Sequence, residues 1–93
     1  MLSAADVIRL LPLDDCIAAV ENAFRLHGEG RIESGLLSAH VEEGAFHIKV
    51  ARVCDRFGAK TNANFPSNPM KHGLPAIQGL MLLFDARDGR PLA

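Results

Sequence analysis

Apolar residues follow a helical period in the N-terminal part of the chain. Ile17, Val20 and Phe24 recur every three or four positions between Leu13 and His27, which predicts an amphipathic helix with a core-facing side. Further apolar residues lie beside this stripe: Cys16, Ala19, Ala23 and Leu26. We therefore expect the stripe to pack against the rest of the domain.

A shorter helix is predicted upstream of it. Ser3 and Asp6 have the spacing of an N-cap residue and a first-turn acid, which satisfy free backbone N–H groups and complement the helix dipole. This helix is expected to end near Leu11, because Pro12 lacks the N–H group that would continue it.

From residue 37 onward the hydrophobic period is two residues, which is typical of strands. Residues 31–35 are predicted to form a connection. The predicted strands cover residues 37–41, 45–53, 57–65 and 76–85, and a further strand is expected to start at Arg90. Helices followed by strands predict an α+β domain, with the N-terminal helices packed on one face of a mostly antiparallel sheet.

The strand over residues 76–85 is long and apolar, and its hairpin partner has only begun at Pro91 when the sequence reaches Ala93. An unpaired apolar edge promotes association with other strands. We therefore expect this to be the front part of a longer polypeptide, or another subunit to supply the missing neighbour.

Charge and hydropathy exclude several classes of partner. The formal net charge is -1, whereas phosphate neutralisation needs a clustered excess of Lys and Arg, so no nucleic-acid partner is expected. The longest apolar run, Leu80–Phe84, is too short to span a bilayer, and the N-terminus lacks the pattern of a signal peptide. A cytoplasmic protein is expected, in which Cys16 and Cys54 are buried or half-buried free thiols.

The sequence also lacks the short motifs of several common sites. No pair of His has the helical spacing of a zinc site and no C-x-x-C occurs, so no metal is expected. Neither G-x-G-x-x-G nor a P-loop pattern is present, and there is no G-x-S-x-G nucleophile motif. The order of Ser, Cys, His and Asp along the sequence still leaves a Ser-His-Asp or Cys-His hydrolase open at this level.

The predicted hairpin over residues 45–65 contains the candidate site. A turn at Cys54-Asp55 places Lys49 opposite Lys60 and His47 opposite Asn62. Like charges opposed on a sheet are destabilising, so this face is either open to water, where repulsion is screened, or built to receive an anion such as a carboxylate. Both interpretations stay open at this level.

The loop that follows favours the anion interpretation. The side chains of Asn62, Asn64 and Asn68 offer both hydrogen-bond donors and acceptors. The prolines within residues 66–75 reduce the entropy that is lost when the loop is ordered. A purely structural loop would also use these residue types.

Several segments together resemble the N-terminal portion of the ornithine cyclodeaminase and μ-crystallin family. They are Glu21-Asn-Ala-Phe24, Gly58-Ala-Lys60, Asn64-Phe-Pro66-Ser-Asn68, Gly73-Leu-Pro75, Gln78-Gly79, Leu83-Phe-Asp85 and Asp88-Gly89-Arg-Pro-Leu-Ala93. The resemblance runs through essentially the whole chain and is most specific from Gly58 onward.

The resemblance implies a homodimeric, two-domain enzyme that acts on an amino or imino acid. Residues 1–93 would form a substrate-binding and dimerisation domain. An absent Rossmann domain would make most of the contacts to the cofactor, NAD(H) or NADP(H). Lys60 matches the family's substrate-contacting lysine and would hold the substrate carboxylate, and Gln78 matches a position that reaches toward the cofactor. The family's catalytic carboxylate would belong to the absent domain, so the resemblance implies that residues 1–93 contain no catalytic residue and are inactive alone. The alternative is a non-catalytic anion-binding or dimerisation module.

Two departures from the family pattern concern the carboxylate clamp. Where cyclodeaminases usually carry a Pro-Arg pair, this sequence has Gly35-Leu36-Leu37, and Ile48-Lys49-Val50 replaces a common Met-Pro step. We hypothesise that Lys49 supplies the positive charge of the missing arginine. This change places ornithine itself in doubt as the substrate.

Overall fold

A computed structural model describes the whole chain, residues 1–93. The helices are α1 (Ala4–Leu10), α2 (Leu13–Gly28) and α3 (Asn68–Lys71), and the strands are β1 (Ile32–Val41), β2 (Gly44–Val53), β3 (Arg56–Asn64) and β4 (Ile77–Asp85). The strands form one antiparallel sheet in the order β1-β2-β3-β4. The predicted α+β class is thereby confirmed.

Both N-terminal helices begin and end where local chemistry predicts. At the start of α1, the Ser3 hydroxyl accepts a hydrogen bond from the Asp6 amide at 3.2 Å, and the Asp6 carboxylate accepts one from the Ser3 amide at 2.9 Å. This reciprocal arrangement is a capping box. After α2, Gly30 adopts a φ of 70°, a left-handed conformation that glycine tolerates and that terminates helices.

Strand β1 is longer than the sequence predicts. The expected connection over residues 31–35 is wrong, because Ile32 already pairs with Val53 and the ladder continues without interruption to Val41 and Gly44. Gly35 and the serines weaken the local strand signal, but backbone pairing along β2 overrides it. The predicted turn at Cys54 is confirmed, with a φ of 53°. Its tip position leaves Cys54 exposed, so the expected burial of this thiol is wrong.

The segments around β4 also differ in detail from the predictions. The loop after β3 contains the short helix α3, which the proline-rich sequence conceals, and the Phe65 amide bonds the Ala76 carbonyl at 2.7 Å. Beyond β4, the Leu83 amide bonds the Ala93 carbonyl at 2.7 Å. The strand predicted to start near residue 90 thus begins to pair along the outer edge of β4.

The strand register divides the sheet into two chemically different faces. The polar face carries Ser38, His47, Lys49, Lys60, Asn62 and Asn64. The apolar face carries Leu37, Phe46, Ile48, Phe57, Leu80, Leu82 and Phe84. Aromatic contacts reinforce the apolar face, with 6.1 Å between the ring centroids of Phe57 and Phe84.

Little of the apolar surface is buried within the chain. Leu26 and Asp85 are the only buried residues, and the Cα radius of gyration of 15.6 Å exceeds the roughly 12 Å expected for a compact domain of this length. Ile17, Val20 and Phe24 remain 56%, 48% and 73% exposed. The prediction that this stripe faces the core is wrong within this chain, because the extensive contacts between elements join neighbouring strands only.

The buried carboxylate of Asp85 closes one end of the sheet. Arg87 donates to it through Nη2 at 2.6 Å, through Nε at 3.0 Å and through its backbone amide at 2.9 Å. The guanidinium groups of Arg56 and Arg90 lie 3.8 and 3.7 Å away. The hydrogen bonds from Arg87 hold the pKa of Asp85 far below its ordinary value. This carboxylate links β3, β4 and the turn that follows.

We predict that Asp85→Asn lowers the melting temperature by several degrees at neutral pH, because a neutral amide cannot replace the charge-assisted bonds to arginine. Since folding lowers the Asp85 pKa, the stabilisation is present above the ordinary Asp pKa of about 4 and is lost as pH falls toward the folded-state value. Thermal melts between neutral and acidic pH test this. Asp88→Asn is the matched control, since Asp88 is exposed, and equal losses in both variants would contradict the prediction.

Gly79 should not tolerate a side chain. A Cβ atom there would lie 2.9 Å from the Thr61 carbonyl oxygen and 3.1 Å from the Asn62 Cβ. We predict that Gly79→Ala lowers the free energy of unfolding by about 1–3 kcal/mol through overpacking. Gly28→Ala is the control in urea unfolding, because nothing lies within 4 Å of its Cβ position. A stable Gly79→Ala variant would contradict this account of the β3–β4 contact.

Candidate functional site

The two candidate lysines lie directly opposite each other on the polar face. Lys49 of β2 pairs with Lys60 of β3, as the predicted turn requires. The row continues on both sides, to Leu36 on β1 and to Met81 on β4. Because cross-strand partners share a face, the two ammonium groups rise from neighbouring strands on the same side of the sheet.

Neither lysine is neutralised by the protein. Both are exposed, and neither forms an ion pair with a carboxylate. Lys71 differs, since it pairs with Glu43 and this hydrogen bond lowers the pKa of Glu43. The Lys49–Lys60 pair is therefore a local excess of positive charge without a structural partner.

A hollow of about 220 Å³ lies beside the two lysines. Its residues on the polar face include Ala51 and Gly58, which occupy the next cross-strand row, and the apolar side chain of Met81. We call this feature the lysine hollow. It combines two cationic groups with a small-residue floor, so it can accept an anionic group attached to a small apolar body.

A row of polar side chains flanks the lysines on the other side. His47 pairs with Asn62 across β2 and β3, as predicted. The Ser38 hydroxyl and His47 Nδ1 are 2.8 Å apart and share a hydrogen bond. Ser38 lies within the strand predicted over residues 37–41, but the sequence predicts no register for that strand and so misses its pairing with His47.

The remaining predicted residues do not join this cluster. Gln78 pairs with Ala63 and lies on the apolar face, so the sheet separates it from Lys60. Its contact with a cofactor stays a prediction. The Asn68 side chain donates to the Pro75 carbonyl at 3.2 Å and braces its own loop, which gives it a structural role.

A second hollow, of about 350 Å³, is lined by Arg52, Phe57, Phe84, Asp85, Ala86 and Gly89. Its charged groups already have partners, because Arg52 pairs with Glu33 at 3.2 Å and Asp85 with Arg87 at 2.6 Å. The smaller lysine hollow is the better candidate site, since its charges are free to bind a ligand.

Other kinds of site find little support. No three or more His, Cys, Asp or Glu side chains are grouped so that they could hold a metal ion. None of the helices combines the length and the apolar character that crossing a membrane requires.

The fold and the hollow together describe an α+β domain that carries two unpaired lysines beside a hollow on one face of an antiparallel sheet. The chain belongs to the ornithine cyclodeaminase/mu-crystallin family, whose model matches residues 1–93. The resemblance predicted from the sequence is confirmed.

Two curated relatives match the chain along its length. An alanine dehydrogenase of Archaeoglobus fulgidus is 33% identical over 94 residues, which cover 100% of this chain and 29% of that protein. A putative dehydrogenase of Rhizobium meliloti (strain 1021) is 34% identical over 95 residues, covering 96% of this chain and 29% of the relative. The chain thus spans less than a third of the length of each.

Solved structures agree with the fold. An archaeal alanine dehydrogenase dimer with bound NAD superposes with a TM-score of 0.90 at 33% identity, covering 98% of this chain and 28% of that one. The second structure is a lysine cyclodeaminase, studied for recognition of L-lysine, L-ornithine and L-2,4-diaminobutyric acid. It superposes with a TM-score of 0.70 at 24% identity, and the match covers 94% of this chain and 28% of the cyclodeaminase chain. The second likeness concerns the fold alone.

The opposed lysines should cost stability when no ligand is bound. We predict that Lys60→Gln raises the free energy of unfolding by about 0.2–1 kcal/mol at low ionic strength, because it removes a like-charge cross-strand pair. The gain should shrink as salt screens the repulsion. Urea unfolding at two salt concentrations measures both effects. Lys71→Gln is the control and should destabilise, since it breaks the pair with Glu43. A destabilised Lys60→Gln variant would indicate a structural role for Lys60.

Proposed function

We propose that residues 1–93 form the substrate-binding and dimerisation domain of an NAD(P)-dependent amino-acid dehydrogenase or cyclodeaminase. Lys49 and Lys60 bind the substrate carboxylate. The observation that supports this proposal most directly is that two lysines without carboxylate partners are cross-strand neighbours and line the same hollow. A compact ammonium attracts a carboxylate strongly as a point charge, and binding relieves the repulsion between the lysines.

Lys49 takes the place of the arginine that this sequence lacks. Leu36, which lies in the Gly35-Leu36-Leu37 segment where the family's Pro-Arg pair is expected, is the direct β1 partner of Lys49. The charge is therefore shifted by one strand within the same cross-strand row. Because the clamp is built from two lysines rather than from an arginine fork, it recognises charge with less demand on planar geometry.

The cofactor is NAD(H) or NADP(H), and it is bound mainly by a Rossmann domain outside residues 1–93. Support comes from the alanine dehydrogenase structure with bound NAD. When bound, the nicotinamide supplies hydride transfer with the substrate α-carbon. Within this chain, Lys49 and Lys60 bind and orient the carboxylate, and residues 1–93 alone are inactive. A contact from Gln78 to the cofactor would have to form on the apolar face.

A second candidate function is a non-catalytic anion-binding or dimerisation module. The exposed apolar face of the sheet favours this second function, since Leu37 and Leu80 are 66% and 53% exposed. Exposed apolar surface of this extent is typical of an interface. A homodimer is part of both candidates, and the dimeric alanine dehydrogenase supports it. Turnover of amino acids by the full-length protein with NAD(P) separates the two.

We predict that Lys60→Ala and Lys49→Ala each lower kcat/KM for the amino-acid substrate by about 10- to 150-fold in the full-length enzyme. Loss of a hydrogen bond to a charged group costs about 1.5–3 kcal/mol, which corresponds to this range. Steady-state kinetics with an amino acid and NAD measures the effect.

Lys71→Ala is the matched control, because Lys71 is also exposed but lies on α3 and pairs with Glu43. Its kcat/KM should stay within about twofold of wild type, as expected for an exposed surface pair. Wild-type kinetics in the Lys60→Ala variant would remove Lys60 from the site. A melting curve for each variant distinguishes a lost contact from a lost fold.

A further inference from the structure

Gly58 lies in the lysine hollow, and the chain itself does not require a glycine there. Its backbone lies outside the left-handed region that favours glycine. A Cβ built on Gly58 would approach one heavy atom within 4 Å, the Leu82 carbonyl oxygen at 3.9 Å. This distance is an ordinary van der Waals contact, so an alanine would fit without strain.

Two other glycines in the sheet, Gly44 and Gly79, lie where the backbone of a neighbouring strand leaves no room for a side chain. A Cβ on Gly44 would lie 2.5 Å from the Asn64 carbonyl oxygen, and one on Gly79 would lie 2.9 Å from that of Thr61. Packing excludes a side chain at both positions. At Gly58 neither backbone conformation nor packing does so, although glycine in a strand interior costs stability through its conformational freedom.

The space that Gly58 leaves open belongs to the candidate site. Gly58 is on the same strand and the same face as Lys60, two residues away, and it pairs with Ala51, which is two residues from Lys49. Both small residues line the hollow together with the lysines and Met81. A ligand whose carboxylate contacts the ammonium groups would therefore place its next few atoms over Gly58 and Ala51.

We propose that Gly58 determines which substrates fit, by providing room for a short unbranched apolar side chain of an amino or imino acid. This inference rests on the proposed function, because it takes the lysines as the carboxylate site. Met81 and Ala51 supply apolar contacts, and the missing Cβ of Gly58 sets the depth of the hollow. A methyl group at position 58 would occupy the volume that the terminal carbons of a longer side chain need.

Isothermal titration of the full-length protein with L-alanine, L-2-aminobutyrate, L-norvaline and L-norleucine tests the inference. We expect Gly58→Ala to raise the ratio of the norvaline Kd to the alanine Kd by about 10-fold, which is the penalty that one misplaced methylene produces in an apolar site. Ala51→Val, which fills the hollow from the neighbouring strand, should raise the same ratio. An unchanged ratio in both variants overturns the inference.

Two further variants separate this inference from the proposed function. Gly28→Ala makes the same chemical change where nothing lies within 4 Å, and its ratio should match wild type; an equal rise there would overturn the inference. Lys60→Met should weaken all four ligands by a similar factor and leave the ratio unchanged. If Lys60→Met binds every ligand as wild type does, or if wild type binds none, the proposed function fails. If the ratio rises in Gly58→Ala while Lys60→Met has no effect, the hollow selects the ligand side chain, but Lys60 does not bind the carboxylate.

Discussion

The pairing register between β2 and β3 is the constraint on which the candidate site depends. The tight turn at Cys54 sets it, and Lys49 faces Lys60 because of it. A slip of one residue would move every side chain of one strand to the opposite face. The lysines would then no longer share a face, and Gly58 would leave the lysine hollow.

This register has an electrostatic cost that other contacts must offset. Two unpaired ammonium groups are held on adjacent strands, and neither is neutralised within the chain. At the same end of the strands as the turn, the buried Asp85 gathers Arg87, Arg56 and Arg90. The arrangement pairs charge at the turn end of the sheet and leaves Lys49 and Lys60 unpaired beside the lysine hollow.

Much of the apolar surface of this chain is exposed rather than buried. The apolar face and the Ile17–Phe24 stripe of α2 remain open, and strand pairing provides most contacts between elements. Hydrophobic burial is the dominant favourable contribution to folding. The proposed dimer or a further domain would supply the burial that these surfaces lack, which connects assembly with the stability of the site.

Local signals in the sequence determined much of this structure. The Ser3 and Asp6 capping box, the extent of α2, the Cys54 turn and the opposition of Lys49 and Lys60 all depend on residues near one another in the chain, so spacing alone predicts them. Tertiary structure decided the features that depend on distant partners. These are the full length of β1, the exposure of the α2 stripe, the burial of Asp85 among arginines and the open space at Gly58. Each depends on what lies beside a residue in three dimensions, which neither periodicity nor spacing encodes.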